Sequence, residues 1–163
     1  MLEVVHLTKI YKAKGGVETK ALNDVSVRFP EKGMVFLLGK SGSGKSTLLN
    51  VCGGLDSPTS GEIIVKGRSS KNFSQSDFDS YRNTFIGFVF QDFCLLNDRN
   101  VEENVMIPLL FTKTSFKKMH KRVHEVLKSV KIDKLYKRNP TELSGGQMQR
   151  VAIARALVNE PEL

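Results

Sequence analysis

Hydrophobic and polar positions predict several strands in the first part of the chain. Residues 2–9 and 21–29 are apolar or alternate between apolar and polar side chains, with a glycine pair between them, which predicts two antiparallel strands. Residues 34–38, MVFLL, are continuously apolar between two glycines, which predicts a strand buried on both faces of a parallel sheet. Residues 62–65 are predicted as a further strand, and residues 85–90 as a second buried one.

Helical patterning begins after the first apolar run and dominates the second half. Residues 45–51 follow a glycine-rich loop and predict a helix. Residues 101–130 repeat apolar side chains at helical spacing, with a break expected at Pro108. Ser144 is predicted to begin a last helix that runs to about Asn159. The pattern thus gives mainly strands in the first part of the chain and helices in the second.

Composition limits the kinds of protein that the chain can be. Its 163 residues fit one globular domain, and 40% are hydrophobic, as in ordinary globular proteins. No apolar run reaches the roughly 20 residues of a membrane span, and the first residues do not resemble a signal peptide. Cys52 and Cys94 have neither disulfide-scaffold nor zinc-site spacing, so both are predicted to be buried small hydrophobic residues.

The net charge of +8 lies entirely in one segment, residues 113–138. This segment has ten lysine and arginine residues against Glu125 and Asp133, and the rest of the chain is balanced. A solvated helix face is the plainer interpretation, and a surface for anionic lipid or for an acidic loop of a partner is the alternative. Nucleic acid is not expected as a partner, because no aromatic residues interleave with the basic ones to stack bases. Apolar side chains recur there at helical spacing: Phe116, Met119, Val123, Val126, Leu127 and Val130.

The segment GKSGSGKST, residues 39–47, carries the strongest chemical signal. It fits the pattern G-x-x-x-x-G-K-[ST], and a buried strand and a helix are predicted on either side of it. Glycines allow the backbone N–H groups to turn inward around phosphates, and the following helix adds its positive N-terminal end. Lys45 would place a charge beside the outer phosphates, and the Ser46 hydroxyl would ligate Mg²⁺.

A second cluster, LSGGQMQR, spans residues 143–150. Ser144 and Gln147 have the spacing of a capping box at a helix start. Capping by itself explains these two residues, but Gly145 and Gly146 would weaken the first turn of a helix. The glycines leave backbone N–H groups open to a ligand, and an exposed helix start of this kind suits a phosphate group.

With GKSGSGKST and LSGGQMQRVAIARAL together, the chain resembles the nucleotide-binding subunits of ABC transporters. The likeness extends through ALNDVSVRFPEKG, GGLDSPTSGEI, FIGFVFQDFCLL and ENVMIPLL. It is greatest to the group of macrolide exporters, lipoprotein-releasing ATPases, antimicrobial-peptide resistance and sensing ATPases, and the cell-division ATPase. The resemblance implies a P-loop NTPase, RecA-like α/β core with an antiparallel β subdomain and an inserted helical subdomain. It also implies a homodimer, or a pair of such domains, that encloses two MgATP head to tail.

The family's functional residues carry over by motif position. Tyr11 matches the aromatic residue that stacks on adenine, with a core aromatic at a strand end as the alternative. Gln91 matches the glutamine that contacts Mg²⁺ and the attacking water, and Lys45 is the second residue expected to act in catalysis. Ser46 and Gln91 are the expected metal contacts. The nucleotide-binding set expected in this way is Tyr11, Gly39, Ser41, Gly42, Ser43, Gly44, Lys45, Ser46, Thr47, Ser144, Gly145, Gly146 and Gln147, of which the last four would act on the opposing subunit's nucleotide.

The resemblance further implies a partner in the membrane. Residues 93–105 would lie near the groove that receives a helix of an integral membrane permease. Candidate contacts are Val101, Glu102, Glu103 and Val105, with an ordinary helix as the alternative. The subunit would then be peripheral on the cytoplasmic side of the cell membrane. A nucleotide-binding regulatory module of the sensor or cell-division type, without transport, is the alternative function.

The end of the sequence departs from the family pattern. In the family, NEPEL at residues 159–163 leads into a strand that ends in Asp-Glu, followed by a further loop and a histidine. We therefore expect the chain to be the N-terminal part of a longer ATP hydrolase, and to lack normal ATPase turnover by itself, because hydrolysis needs a base near the γ-phosphate. The expected parts are residues 1–92 as the β subdomain and first part of the core, 93–143 as the helical subdomain, and 144–163 as the signature helix.

Overall fold

The computed structural model describes residues 2–13 and 15–163. They fall into two compact units, one that ends at Asp79 and one that comprises Ser80–Leu163. The subdomain boundaries expected after residues 92 and 143 stay predictions. Among the residues that the structure describes, no helix combines the length and apolar character needed to cross a membrane.

An antiparallel sheet is the centre of the first unit. Strands β1 and β2 pair along their length, which confirms the predicted antiparallel strands, although both extend beyond their predicted bounds on the side of the turn that joins them. The sheet order is β2-β1-β3-β4. Apolar side chains of β1 are buried, including Val4 and Leu7, and Leu48 and Val51 of the helix that follows the glycine-rich loop are buried as well. The strands are β1 (Leu2–Lys12), β2 (Glu18–Arg28), β3 (Ser60–Val65) and β4 (Arg68–Ser69).

Helices build the second unit. Three of them, α3, α4 and α5, share one buried cluster in which Val101, Val123 and Val151 are inaccessible to solvent. Pro108 stands in a short 3₁₀ turn, Ile107–Phe111, between α3 and α4, so the predicted break in the long helical pattern is confirmed. The helices of the chain are α1 (Lys45–Cys52), α2 (Gln75–Ser80), α3 (Val101–Met106), α4 (Phe116–Ser129) and α5 (Gly145–Leu157).

The buried strand predicted at residues 34–38 is wrong. The segment has no strand structure, and Met34, Phe36 and Leu38 are 77%, 73% and 89% exposed. An apolar run becomes a buried strand only where neighbouring strands accept its N–H groups and cover its side chains. The part of the chain that the structure describes supplies no such neighbour to this segment.

The strand predicted at residues 85–90 is also wrong. A helical turn, Tyr81–Phe85, enters the segment, and the residues after it have no regular strand structure. One pair of hydrogen bonds there has the parallel arrangement: the Gly87 N–H donates to the Leu163 carbonyl at 2.7 Å, and the Leu163 N–H donates to the Phe85 carbonyl at 3.0 Å. A single pair of this kind does not make a strand.

The two cysteines differ in environment. Cys52 is buried in α1, as predicted, and burial raises the pKa of its thiol to about 11, because a thiolate there would lose its hydration. Cys94 is exposed, so the prediction that it is buried is wrong. Cys94 is exposed because the backbone turns tightly after residue 91, and the sequence pattern does not predict this turn.

Candidate nucleotide site

The glycine-rich loop ends at the first turn of α1, as its motif predicts. Gly44 is the N-cap of this helix and has a left-handed backbone with φ of 86°. A Cβ atom on Gly44 would lie 2.4 Å from the carbonyl oxygen of Ala21 in β2. Both the backbone angle and this close approach require glycine, so the loop fits tightly against β2. The first turn of α1 contains no acidic residue, which leaves its N-terminal positive end without a carboxylate of its own.

Lys45 lies over the loop that precedes it. Its Nζ donates to the carbonyl oxygens of Gly39 at 2.9 Å and Lys40 at 2.7 Å, and to the Ser43 Oγ at 3.3 Å. Among the described residues, no carboxylate pairs with this ammonium group. The charge of Lys45 is therefore compensated only by carbonyl and hydroxyl dipoles, which a phosphate oxygen can replace favourably.

Hydroxyl groups of the loop are open to solvent. Ser41, Ser43 and Ser46 are exposed, and Thr47 is half-buried. No group of three or more His, Cys, Asp or Glu side chains among the described residues is arranged to hold a metal ion. Mg²⁺ keeps several waters and commonly binds through substrate phosphates with few protein ligands. The exposed Ser46 hydroxyl next to a phosphate loop fits that mode of binding.

Tyr11 stands near the end of β1 and is 40% exposed. Its hydroxyl donates to the Asp56 Oδ2 at 2.8 Å, and the Lys9 Nζ lies 2.6 Å from the Asp56 Oδ1 and 4.9 Å from the ring centroid. Burial would raise the pKa of Asp56, but the hydrogen bonds from Lys9 and Tyr11 outweigh it and the pKa is lowered. Asp56 thus remains an anion that fixes the tyrosine, a role that the sequence pattern did not indicate.

The helix start at residue 144 is a capping box, as predicted. The Ser144 Oγ accepts from the Gln147 N–H at 3.4 Å, and the Gln147 Oε1 accepts from the Ser144 N–H at 2.8 Å. A Cβ atom on Gly145 or Gly146 would meet no atom within 4 Å. Packing within the chain therefore does not require glycine at these two positions.

Gln91 is exposed in a turn, and the backbone just after it is strained. Phe93 and Cys94 have left-handed backbones with φ of 59° and 47°, which is unfavourable for side chains other than glycine. Arg155 of α5 donates to both of their carbonyl oxygens at 2.6 Å. Burial of the Arg155 side chain lowers its pKa, but the guanidinium remains charged at neutral pH. Arg155 thus ties the backbone that follows Gln91 to α5, a role that no sequence pattern indicated.

The sequence analysis also did not identify the structural role of Asn104. It is fully buried in α3, where a leucine or valine would be expected. Its Oδ1 accepts from the Leu96 N–H at 2.8 Å, and its Nδ2 lies 3.0 Å from the carbonyl oxygens of Leu96, Arg99 and Asn100. The single polar residue at an α3 core position was the available signal. Its amide substitutes for backbone partners that the loop of residues 96–100 lacks.

Two of the four candidate permease contacts are buried. Val101 and Val105 are inaccessible to solvent in the core of the second unit, so these two assignments are wrong. Their helical spacing reflects the packing of α3 against α4 and α5 in the core, not a surface for a partner. Glu102 is engaged as well: its Oε1 lies 2.6 Å from the His120 Nδ1 and 3.2 Å from the His124 Nε2, both on α4.

The expected site residues divide between the two units. Tyr11 and the loop of residues 39–47 belong to the unit that ends at Asp79, and Gln91 and the capping box at Ser144 belong to the other. The loop, its following helix and the Lys45 ammonium group over the loop define a nucleoside-triphosphate-binding protein of the P-loop class.

Comparison with known proteins makes the class more specific. A family model described as ABC transporter matches residues 22–163, and the chain belongs to this family. The chain is 46% identical to the lipoprotein-releasing system ATP-binding protein LolD of Buchnera aphidicola subsp. Schizaphis graminum, over 163 residues that make up 100% of this chain and 71% of that protein.

Solved structures agree with the family in fold. The dimeric bacterial ABC transporter cassette MJ0796 is 40% identical, with a TM-score of 0.90, over 99% of this chain and 71% of that one. A post-hydrolysis state of the same cassette, bound to ADP and Pi, gives 39% identity and the same TM-score of 0.90. The transporter component cbiO1 of Clostridium perfringens is 31% identical, with a TM-score of 0.79, over 98% of this chain and 62% of that one. The expected fold class, a P-loop ATPase with an antiparallel sheet and helices, is confirmed, and the chain spans only part of these cassettes.

Proposed function

We propose that this chain binds MgATP as the ATP-binding part of an ABC transporter subunit. The observation that carries the proposal is the loop at residues 39–47, closed by Gly44 against β2 and covered by the Lys45 ammonium group. In this proposal the loop N–H groups and Lys45 bind the β- and γ-phosphates, and the Ser46 hydroxyl ligates Mg²⁺. The half-exposed Tyr11 ring, held by Asp56, stacks on the adenine.

The residues at the start of α5, which we call the signature, are proposed to act on the nucleotide of a second subunit; they are Ser144, Gly145, Gly146 and Gln147. The space around Gly145 and Gly146 supports this role, since a Cβ atom at either position would meet no atom of the described residues within 4 Å. The capping box keeps the first turn of α5 ordered and leaves its N-terminal end facing outward for a γ-phosphate. The structural relative MJ0796 has been solved as a dimer, which agrees with such an arrangement.

Hydrolysis is proposed as the activity of the complete subunit. Gln91 would orient the attacking water beside Mg²⁺, and the Arg155 hydrogen bonds would hold the backbone that follows it. A base near the γ-phosphate is also required, and no carboxylate within residues 1–163 stands at the motif position for it. We therefore expect these residues by themselves to bind ATP without normal turnover.

Coupling to a membrane permease completes the proposal. LolD, the relative named above, is the ATP-binding protein of a lipoprotein-releasing system, which supports a transport role for this chain. The subunit would be peripheral on the cytoplasmic side of the membrane and held there by the permease. ATP binding and dimer closure would then drive movement of the permease.

Substitution of Lys45 tests nucleotide binding directly. Loss of a charge-assisted hydrogen bond costs about 1.5–3 kcal/mol, so Lys45→Ala is expected to weaken ATP binding by about ten- to hundredfold. Isothermal titration calorimetry with MgATP measures this effect. Lys40→Ala is the matched control, because Lys40 contributes only its backbone carbonyl to the contacts of Lys45. This variant should therefore bind ATP as the unmodified chain does. Equal ATP affinity of Lys45→Ala and the unmodified chain would refute the assignment of this loop.

A further inference from the structure

Helix α4 has two faces of opposite character. Met119, Val123, Val126 and Leu127 are buried against the core of the second unit. Lys117, Lys121 and Lys128 follow one another along the opposite side at spacings of four and seven residues, and all three are exposed. We call these three lysines the basic stripe.

Little within the chain neutralises this face. The Lys121 Nζ lies 3.9 Å from the Glu125 Oε1, and both side chains are exposed, so this ion pair is weak. Lys117 and Lys128, like Lys118 beside them, pair with no carboxylate in the part of the chain that the structure describes. Residues 113–138 hold the entire net charge of +8, so the basic stripe lies at the centre of a concentrated positive field.

Exposed apolar side chains precede the stripe in the chain, at the N-terminal end of α4 and in the turn before it. Phe116, in the first turn of α4, is 66% exposed, and Leu110 and Phe111, in the preceding turn, are 52% and 77% exposed. At a bilayer surface lysines lie among the headgroups and exposed large apolar side chains reach the acyl boundary.

We propose that the basic stripe of α4 docks on an anionic lipid bilayer, with Phe116 inserted at the headgroup boundary. Lysine attracts a charged surface as a point charge, without the bidentate geometry through which arginine recognises phosphate groups. A convex helix without a groove suits a flat, fluid surface better than it suits a peptide, and no Phe, Tyr or Trp stands between Lys117 and Lys128 to stack nucleic-acid bases. No residue of the stripe belongs to the nucleotide-binding set, so the inference goes beyond the proposed function.

Vesicle sedimentation with charge-reversed variants tests the stripe. The full chain should bind vesicles that contain phosphatidylglycerol, but not vesicles of phosphatidylcholine, and added salt should weaken the binding. Lys117→Glu combined with Lys128→Glu should reduce binding to anionic vesicles by at least about tenfold. Lys20→Glu combined with Lys32→Glu is the matched control, since both of these lysines are exposed in the other unit and the change in net charge is the same. Equal losses in the two variants, or no binding to anionic vesicles, would overturn the proposal.

Fluorescence tests the inserted side chain, because the chain contains no tryptophan. Phe116→Trp should shift its emission to shorter wavelength when anionic vesicles are added. Val17→Trp, at a position 67% exposed in the other unit, should not shift. A shift at residue 17 alone, at neither residue, or equally when duplex DNA replaces the vesicles would contradict docking of α4 on lipid. ATP affinity, measured in the same samples, should stay unchanged, so this test is separate from that of Lys45.

Discussion

Replacing the buried Asn104 by alanine should destabilise the second unit through the loop that the side chain holds. The loop of residues 96–100 runs into α3 and has no sheet or helix partner for several backbone groups. Asn104 supplies those partners with one acceptor and one amide group, all within 3.0 Å. Alanine keeps the helix but removes every one of these side-chain hydrogen bonds.

The expected loss follows from which groups lose their partner. The Asn100 carbonyl keeps the Asn104 backbone N–H at 2.9 Å, and the Leu96 carbonyl keeps the Arg99 N–H at 3.2 Å. The Leu96 N–H and the Arg99 carbonyl lose the bonds that Asn104 gives them. Each buried polar group left without a partner costs about 1–3 kcal/mol. Because the loop lies near the surface and water can reach part of it, we expect a total loss of about 2–3 kcal/mol in the free energy of unfolding.

Urea unfolding, followed by circular dichroism, measures this loss, and hydrogen exchange at the Leu96 amide locates it. Asn97→Ala is the matched control, since Asn97 is an exposed asparagine of the same loop, and it should change stability by less than about 0.5 kcal/mol. A loss below about 1 kcal/mol for Asn104→Ala, with the Leu96 amide still protected, would refute the reasoning.

Asn104→Asp sharpens the test, because aspartate has the same shape. Its second oxygen would face the three carbonyl oxygens that the Nδ2 group now binds, so the charged form is disfavoured and folding raises the pKa of the new carboxyl. The variant should be most stable at low pH, and its stability should fall as the pH rises through that raised pKa. A stability that does not depend on pH relative to the unmodified chain would contradict this account.

Two further predictions concern the signature and the first unit. Gly146→Ala should leave the free energy of unfolding unchanged or raise it by up to about 1 kcal/mol, since a Cβ there meets no atom within 4 Å and alanine favours helix. The same variant should reduce ATP-dependent dimerisation, measured by light scattering on the complete subunit. A clear loss of stability would show that the glycine serves packing. Hydrogen bonds from Arg68 and Ser74 lower the pKa of Asp77, so its contribution to stability should be present above the ordinary carboxyl pKa and lost as the pH falls through the lowered one. Asp77→Asn should therefore be less stable than the unmodified chain at neutral pH and equal to it in strong acid, and a gap that persists in acid would argue against the ion pair as its cause.

Features that depend on a few neighbouring residues could be predicted from the sequence. The capping box joins Ser144 to Gln147 through bonds that span three residues, and the phosphate loop is formed by glycines and Lys45 within residues 39–47. The break at Pro108 has the same local origin, because proline lacks an N–H group. Motif resemblance then led to the ABC transporter family, which the comparisons confirm.

Features that depend on distant partners could be decided only by the tertiary structure. The apolar run at residues 34–38 has the composition of a buried strand, but no strand within residues 2–13 and 15–163 pairs with it, and Met34, Phe36 and Leu38 are exposed. Asn104 and Arg155 act on backbone groups of loops whose path no local pattern specifies. Val101 and Val105 show the same limit, since helical spacing identifies an apolar face but not what covers it. A hydrogen bond within one turn is determined by the residues beside it, whereas a strand, a buried amide or a clamped loop exists only if another part of the chain meets it.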